Sequence, residues 1–390
     1  LVKLGPADQQ RIMSGNLSLE LPIVLGILAE LGKVDAKAFE GRMYVGPIDL
    51  YGNVLETRGV VAYALAARRS VLPERPEGFA LVCAPRNIHH ALIVKDLRGL
   101  HGVCNVAEAE LLHLLPYVHE PALPVPTVEE PDMADNVVAR FPKVRRALEI
   151  AAAGRHNILL VTSNDEDATA FARRLTGIMG NLPEGSPEQL DCACIQSSAG
   201  LLGRQELPSR RPFRAPHHTI GRLGLEGGGP EIGEVTLAHN GVLFLDNVAE
   251  FSKTALDVVR KVAVYGEVCT LGVTLPARPV IVASMRPCDC GYNPRQDIRC
   301  VCSLTKKVAY YARISSILPI FDMIIDMNAE EDGATHVAYA RSGEATVEIA
   351  ARVEVARAKK VRSLTGKTTA YQRVALTIAR LNGRTEATSL

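Results

Sequence analysis

Tryptophan is absent from the 390-residue chain, and phenylalanine and tyrosine are sparse at 8 and 10. Stacking platforms for single-stranded nucleic acid are therefore thin. Charge of one sign is also missing. The 44 Lys and Arg residues nearly balance 43 Asp and Glu, for a net charge of +1. Bulk electrostatics thus gives no reason for nucleic acid or membrane binding, and any such role must rest on local clusters. No apolar run reaches the ~18–20 residues of a membrane-spanning helix, and no signal peptide is visible. The expectation is a cytoplasmic protein without a membrane partner. Nine cysteines are too few and too clustered for a secreted disulfide scaffold. The chain opens at Leu1 inside what reads as a strand, so an N-terminal piece is expected to precede it.

With 47% hydrophobic and 22% charged residues, a packed core is affordable, and the length predicts two or three domains. Leu21–Ala29 and Val60–Arg69 read as helices, Ala80–Ala84 as a strand, and Met43–Gly46 with Ile48–Val54 as a hairpin turning at Gly52-Asn53. Residues 1–118 therefore form an α/β unit. Four prolines among acidic and small residues make 119–135 a stiff linker. Beyond it, Asn157–Val161, Gly241–Asp246 and Val280–Ser284 are continuous apolar strands. They alternate with helices Val144–Ala153 and Ala168–Met179, which predicts a parallel sheet with helices on both faces. The charged stretch 351–384 predicts a small helical bundle.

Several long motifs occur in order. They include Pro6-Ala7-Asp8, Leu21–Ala29, Ala66-Ala67-Arg68-Arg69, Arg211–Thr219, Leu237–Asp246 and Arg286–Tyr292. Together they resemble the magnesium-chelatase-like AAA+ proteins of the ComM (YifB) competence family. The resemblance implies a truncated Lon-protease-like domain over 1–118 and an AAA+ P-loop-type core over 136–330 with a cysteine insertion. A helical lid over 331–390 would complete the chain. It implies a hexameric, ATP- and Mg²⁺-dependent motor for DNA branch migration during natural transformation, alone or in a ring with partner subunits.

What the chain lacks next is the phosphate loop. Such a loop needs glycines for close backbone approach, a lysine for the β and γ phosphates, and a hydroxyl for Mg²⁺. Here the strand and helix are joined by Thr162-Ser163-Asn164-Asp165-Glu166-Asp167-Ala168-Thr169. No glycine remains, the family's lysine falls at Ala168, and only Thr169 suits its former role. Asp165, Glu166 and Asp167 stand where a triphosphate would lie. Like charges ~4 Å apart repel by about 4 kcal/mol at an effective dielectric of ~20. The same acids complement a helix N-terminus, and Ser163 or Asn164 is a good N-cap, so the segment predicts a self-capped helix start.

Three further family positions differ. The acidic strand end reads Asp246-Asn247, which keeps the metal-side acid and loses the general base, an assistance of ~10²–10⁴. The water-orienting Asn is Arg286. Near Asp322, where the family has an arginine finger, the following residue is Met323. The expectation is a frame without ATP hydrolysis, acting as a structural or DNA-binding subunit. The alternatives are an active DNA-remodelling ATPase and a zinc-stabilised DNA-binding module independent of nucleotide.

Cys288-x-Cys290 and Cys300-x-Cys302 lie nine residues apart, a spacing that can close around Zn²⁺ as a Cys₄ site. Arg295, Arg299, Lys306 and Lys307 flank them, so the loop either meets a DNA backbone or is a solvated basic surface. Arg211, Arg214, His217 and His218 sit in an irregular stretch held extended by Pro212 and Pro216, a second candidate for DNA contact. In the family this stretch resembles an insertion hairpin near a central pore. Cys192 and Cys194 read as core. Ser18 has no lysine in 56–69 to activate it, which argues against a Lon-type protease.

Overall fold

The computed structural model describes residues 17–70, 78–111, 141–163, 165–203, 207–228, 231–270, 272–294, 298–328, 345–359 and 369–384. Of Pro142, Asp165 and Glu166 only the backbone is described. The expected linker, the Pro6-Ala7-Asp8 motif, Asn164 and Arg295 lie outside these residues. The chain divides into two compact units. One takes residues up to 127 together with 183–209 and 229–232; the other takes 128–182, 210–228 and 233 onward.

In the first unit, helices α1 (Glu20–Glu30) and α2 (Val60–Arg69) accompany strands β1 (Arg42–Tyr44), β2 (Ala80–Cys83) and β3 (Leu100–Gly102). The strands form a parallel sheet in the order β1-β2-β3. The expected hairpin is only partly formed. Met43 pairs with Leu81 in parallel, while Ile48 bridges Val54 across the Gly52 turn. The Asp49 carboxylate causes this by accepting from the Tyr51 and Asn53 amides at 2.9 and 2.8 Å, which closes the turn on itself. Helix Pro187–Ala199 also belongs to this unit. Its buried Ala193 and half-buried Cys194 join the apolar packing around Ala64 and Leu65, and Cys192 is buried as well.

The second unit is built on α3 (Pro142–Gly154), β4 (Ile158–Val161), α4 (Asp165–Ile178), β5 (Phe213–Arg214), β6 (Val242–Leu245), α5 (Lys253–Tyr265) and the hairpin β7 (Glu267–Thr270) and β8 (Val273–Pro276). It continues with β9 (Val280–Met285), α6 (Leu304–Ile314), β10 (Met323–Asp326), α7 (Thr346–Ala358) and α8 (Ala370–Leu381). Five strands form one wholly parallel sheet in the order β10-β4-β9-β6-β5. Side chains alternate between two cores. Ile158, Leu160, Val242, Phe244, Val280 and Val282 face Leu148, Phe171 and Val353. Leu159, Leu243, Leu245, Ile281 and Ala283 face Leu256, Val259 and Tyr310. Both faces are apolar because both are covered, which is why the strands read as unbroken apolar runs.

Two of the sequence motifs turn out to be neighbouring strands. Arg211–Arg214 is not a free irregular stretch: its residues Phe213-Arg214 pair with Val242-Leu243 as the sheet's edge. Gly241 is required there, since a Cβ would lie 1.9 Å from the Pro212 carbonyl oxygen. Among the described residues, no helix is long and apolar enough to cross a membrane.

Candidate functional site

Ligands of open parallel sheets bind beyond the carboxyl ends of the strands. Here those ends belong to Val161, Leu245 and Met285. The corner after β4 departs from a phosphate cradle in a specific way. Helix α4 starts at Asp165, three residues before its apolar periodicity begins at Ala168. Once Ala168 is inside the helix, it shares a face with Phe171, Ala172 and Leu175, and all four are fully buried in one core. Ala168, where the resemblance places the phosphate lysine, therefore points into hydrocarbon. Asp167 is buried in the first turn, whereas Thr169 is half-buried.

The loop amides are committed elsewhere. The Thr162 N–H donates to the Met285 carbonyl at 3.0 Å. The Ser163 N–H donates to Asn328 Oδ1 at 3.0 Å. Asn328 is itself fixed, as its backbone and side-chain N–H groups both donate to Asp326 Oδ1 at 3.1 Å. A side chain from the end of β10 thus occupies a donor that a phosphate loop would keep for an anion.

Asp246 and Asn247 lie across β9 from this corner. Ser284 Oγ donates to Asp246 Oδ1 at 2.6 Å and accepts from the Asn247 N–H at 2.7 Å. Asn247 holds φ 52°, ψ 62°, a left-handed conformation that Asn tolerates better than most residues. Its Oδ1 is buried without a hydrogen-bond partner among the described residues. The carboxamide can orient a polar group but cannot take its proton. Arg286, just past β9, is half-buried, and its Cδ lies 3.9 Å from where a Cβ on Gly291 would stand. Its side chain runs alongside the cysteine loop. Met323 is at the opposite, amino end of the sheet, paired with Ile158 and packed on the core. The structure brings Thr162, Asp246, Asn247 and Arg286 to one edge and leaves Met323 out.

The loop after β9 carries the other cluster. The sulfurs of Cys288, Cys290, Cys300 and Cys302 all lie within 4.8 Å of one another, and Cys300 Sγ is 3.8 Å from Cys288 Sγ. A tetrahedral ion with ~2.3 Å bonds to sulfur requires sulfurs about 3.8 Å apart, so the four residues can hold a metal ion. Among the described residues no other group of three or more His, Cys, Asp or Glu side chains converges in this way. Helix α6 fixes the loop. Tyr310 Oη donates to the Arg286 carbonyl and Tyr311 Oη to the Pro287 carbonyl, each at 3.0 Å. Arg313 pairs with Asp289 at 3.3 Å. Burial pushes the Cys288 thiol up to about 12, while the Tyr292 amide lowers Cys290. The outer surface mixes exposed Ile298, Val301, Leu304 and Val308 with Lys306 and Lys307. Arg299 stacks over Tyr292 at 4.3 Å.

The four candidate DNA-contact residues separate. Arg211 is buried, donating from Nε to the Gly180 carbonyl at 3.0 Å and from a terminal nitrogen to the Asn240 carbonyl at 2.9 Å. Arg214 makes a bidentate pair with Glu234, both bonds 2.6 Å. Both guanidinium groups serve the fold around β5. His217 is exposed and stacked on the half-buried His218, ring centroids 4.0 Å apart. In the first unit, buried Ser18 has the Thr57 hydroxyl, not an amine, 2.5 Å away.

Sequence reasoning missed Ser284 and Asn328. Ser284 is a lone hydroxyl in the apolar run Val280–Met285, and that interruption was the available signal. Asn328 had none, because its role depends on β10 lying beside β4.

A five-stranded parallel sheet with its first strand second from the edge, a strand-to-helix corner at that strand and an acid ending β6 define an AAA+ P-loop-type module. Residues 132–335 match the family model described as magnesium chelatase, subunit ChlI. The chain is 30% identical over 395 residues to the YifB protein of Salmonella typhimurium, covering 98% of this chain and 72% of that protein. It is 32% identical over 345 residues to competence protein ComM of Haemophilus influenzae, covering 84% of this chain and 64% of ComM. The YifB protein of Escherichia coli is 30% identical over 371 residues, 92% of this chain and 69% of that protein. The chain belongs to the magnesium-chelatase-like ComM/YifB family, and it spans about two thirds of the length of these relatives.

Proposed function

We propose that this chain is a ComM-type AAA+ subunit that neither binds nor hydrolyses ATP productively and acts as a structural or DNA-binding member of its assembly. The observation that carries this reading is the rewound corner after β4. Ala168 is in the core and the Ser163 amide is bonded to Asn328, so an incoming triphosphate would find no lysine and one donor fewer. The loss of a carboxylate at Asn247 removes the base, and Met323 offers no positive charge to a neighbouring subunit's nucleotide.

Zinc is the metal that four cysteine thiolates suit best. Cys288, Cys290, Cys300 and Cys302 would hold it as a closed structural site that stiffens the loop between β9 and α6. DNA is the partner class, reached through Lys306, Lys307 and the His217-His218 loop rather than through Arg211 or Arg214. The name of the Haemophilus relative, a competence protein, supports a DNA-related setting. The unit containing α1, α2 and β1–β3 is read as a Lon-like scaffold without protease chemistry, because residues 56–69 contain no lysine to activate Ser18. Binding in a homo-hexamer or mixed ring fits the family.

Calorimetric titration with Mg-ATP, followed by phosphate release with and without DNA, tests the reading. No saturable binding and no DNA-stimulated release is expected. Micromolar binding with DNA-stimulated turnover would establish an active motor instead. DNA binding that weakens steeply with salt and ignores nucleotide supports the DNA-contact assignment.

A further inference from the structure

The amino ends of β4 and β10 lie side by side, with Ile158 opposite Met323. Two polar residues stand just ahead of them, the buried His156 and the half-buried Asp322, whose side chain is 8% exposed. His156 Nδ1 is 3.1 Å from Asp322 Oδ2, and its Nε2 is 2.8 Å from Thr377 Oγ1. The other Asp322 oxygen accepts from the Arg373 guanidinium. The Asn157 amide also donates to Asp322 Oδ2, at 3.3 Å. Arg373 and Thr377 are one turn apart on α8, and the Thr377 hydroxyl donates to the Arg373 carbonyl at 3.1 Å. Gly154, at the end of α3, completes the seat. A Cβ there would stand 2.2 Å from His156 Nε2 and 2.5 Å from Thr377 Oγ1. Helix α3, strands β4 and β10 and helix α8 thus meet at one polar junction.

The two C-terminal helices are fastened differently. Helix α7 sinks Ile349, Val353 and Ala356 into the core over β4 and β6. It adds Arg352 to the buried carboxylate of Glu149 at 2.9 Å, and Arg357 to the Ala152 and Met179 carbonyls. Helix α8 gives that core only the partly buried Leu381. Its remaining buried side chains are mostly small, Ala375 and Ala379 with Leu376 and Thr377. Outside the junction, Arg146 also donates to Asn382, at the C-terminal cap of α8, at 3.1 Å. A capping box between Thr369 and Gln372 keeps its first turn helical without help from the sheet.

We propose that Arg373, Asp322, His156 and Thr377 form a latch that holds α8 to the amino edge of the sheet, and that α8 can be released through it while α7 and the sheet stay folded. The latch is at the end of the sheet opposite the nucleotide corner, so it stands whether or not ATP binds. Charged and neutral hydrogen bonds hold it alongside the modest apolar surface of Ala375, Leu376 and Ala379, and such bonds can be exchanged for water at small net cost.

Hydrogen exchange of the whole chain, read by peptide mass, tests this with Arg373→Gln, His156→Gln and Thr377→Val. The latch predicts about tenfold or faster exchange in 370–381 for all three variants. Exchange in 242–245, 280–285 and 346–358 should be unchanged. Thr377→Val keeps the side-chain volume, so it remains informative if His156→Gln fails to fold. Unchanged exchange in 370–381 for Thr377→Val and Arg373→Gln would overturn the proposal. A parallel rise in the sheet peptides would overturn it too, because the junction would then be a keystone of the whole unit.

Discussion

The exits of β4 and β9 are neighbours on one sheet edge, and they differ in what they still need. The β4 exit has the amides of Thr162 and Ser163 committed within the fold, to Met285 and Asn328, and the next helix turns Ala168 into the core. At the β9 exit four sulfurs converge within 4.8 Å and two tyrosines hold their loop. A strand end whose amides are bonded within the fold has fewer donors to offer a ligand. A strand end that gathers four sulfurs presents a set of ligand atoms that one metal ion can bridge.

The sharpest way to break this contrast is Ala168→Lys. If the corner were merely a phosphate loop short of its lysine, the variant would gain Mg-ATP binding. A buried position predicts the reverse: no gain in titration and a loss of about 3–5 kcal/mol in denaturant unfolding, the cost of an unpaired buried charge. At the other exit, Cys288→Ser should abolish metal retained through purification, read by elemental analysis. It should lower stability by on the order of 2–4 kcal/mol and speed exchange in α6. Retention of one metal per chain would show that the four sulfurs are not the ligands. Asn328→Ala, which frees the Ser163 amide, should cost about 1 kcal/mol and still admit no nucleotide. Binding gained there would mean that Asn328 alone keeps the corner shut.

The smallest effect concerns Asp322. Burial alone would raise its carboxyl, but hydrogen bonds from His156 and Arg373 bring it below the ordinary carboxylate range. Its folded pKa is then lower than its unfolded value of ~3.9, so its contribution is present at neutral pH and lost as pH falls through the folded value. Exchange of α8 should rise in acid before that of β6, and Asp322→Asn should remove this difference.

Much of the second unit was legible in residue order. The runs Ile158–Val161, Val242–Leu245 and Val280–Met285 have no polar residue before their last positions, apart from Ser284, because both faces are covered. The cysteine spacing was legible for a similar local reason: two tight pairs need only one loop to bring them together. Less was legible around Arg211 and Arg214. Charged side chains flanked by prolines suggest exposure, yet Arg211 lies under the Gly180 and Asn240 carbonyls and Arg214 answers Glu234. Their partners are 20 to 31 residues away and carry no pattern of their own. Met323 was similarly opaque, since its place at the amino end of β10 follows from strand order alone.

By itself the sequence determined the parallel apolar strands, the loss of glycine and lysine after β4, the paired cysteines and the family. These are properties of adjacent residues: periodicity, charge and short spacing. Only the tertiary structure decided that Ala168 is inside the core, that Asn328 fills a loop amide, and that His156, Asp322, Arg373 and Thr377 meet. Each of those depends on which strands lie side by side, and in a parallel sheet neighbours come from distant parts of the chain, so no local pattern records them.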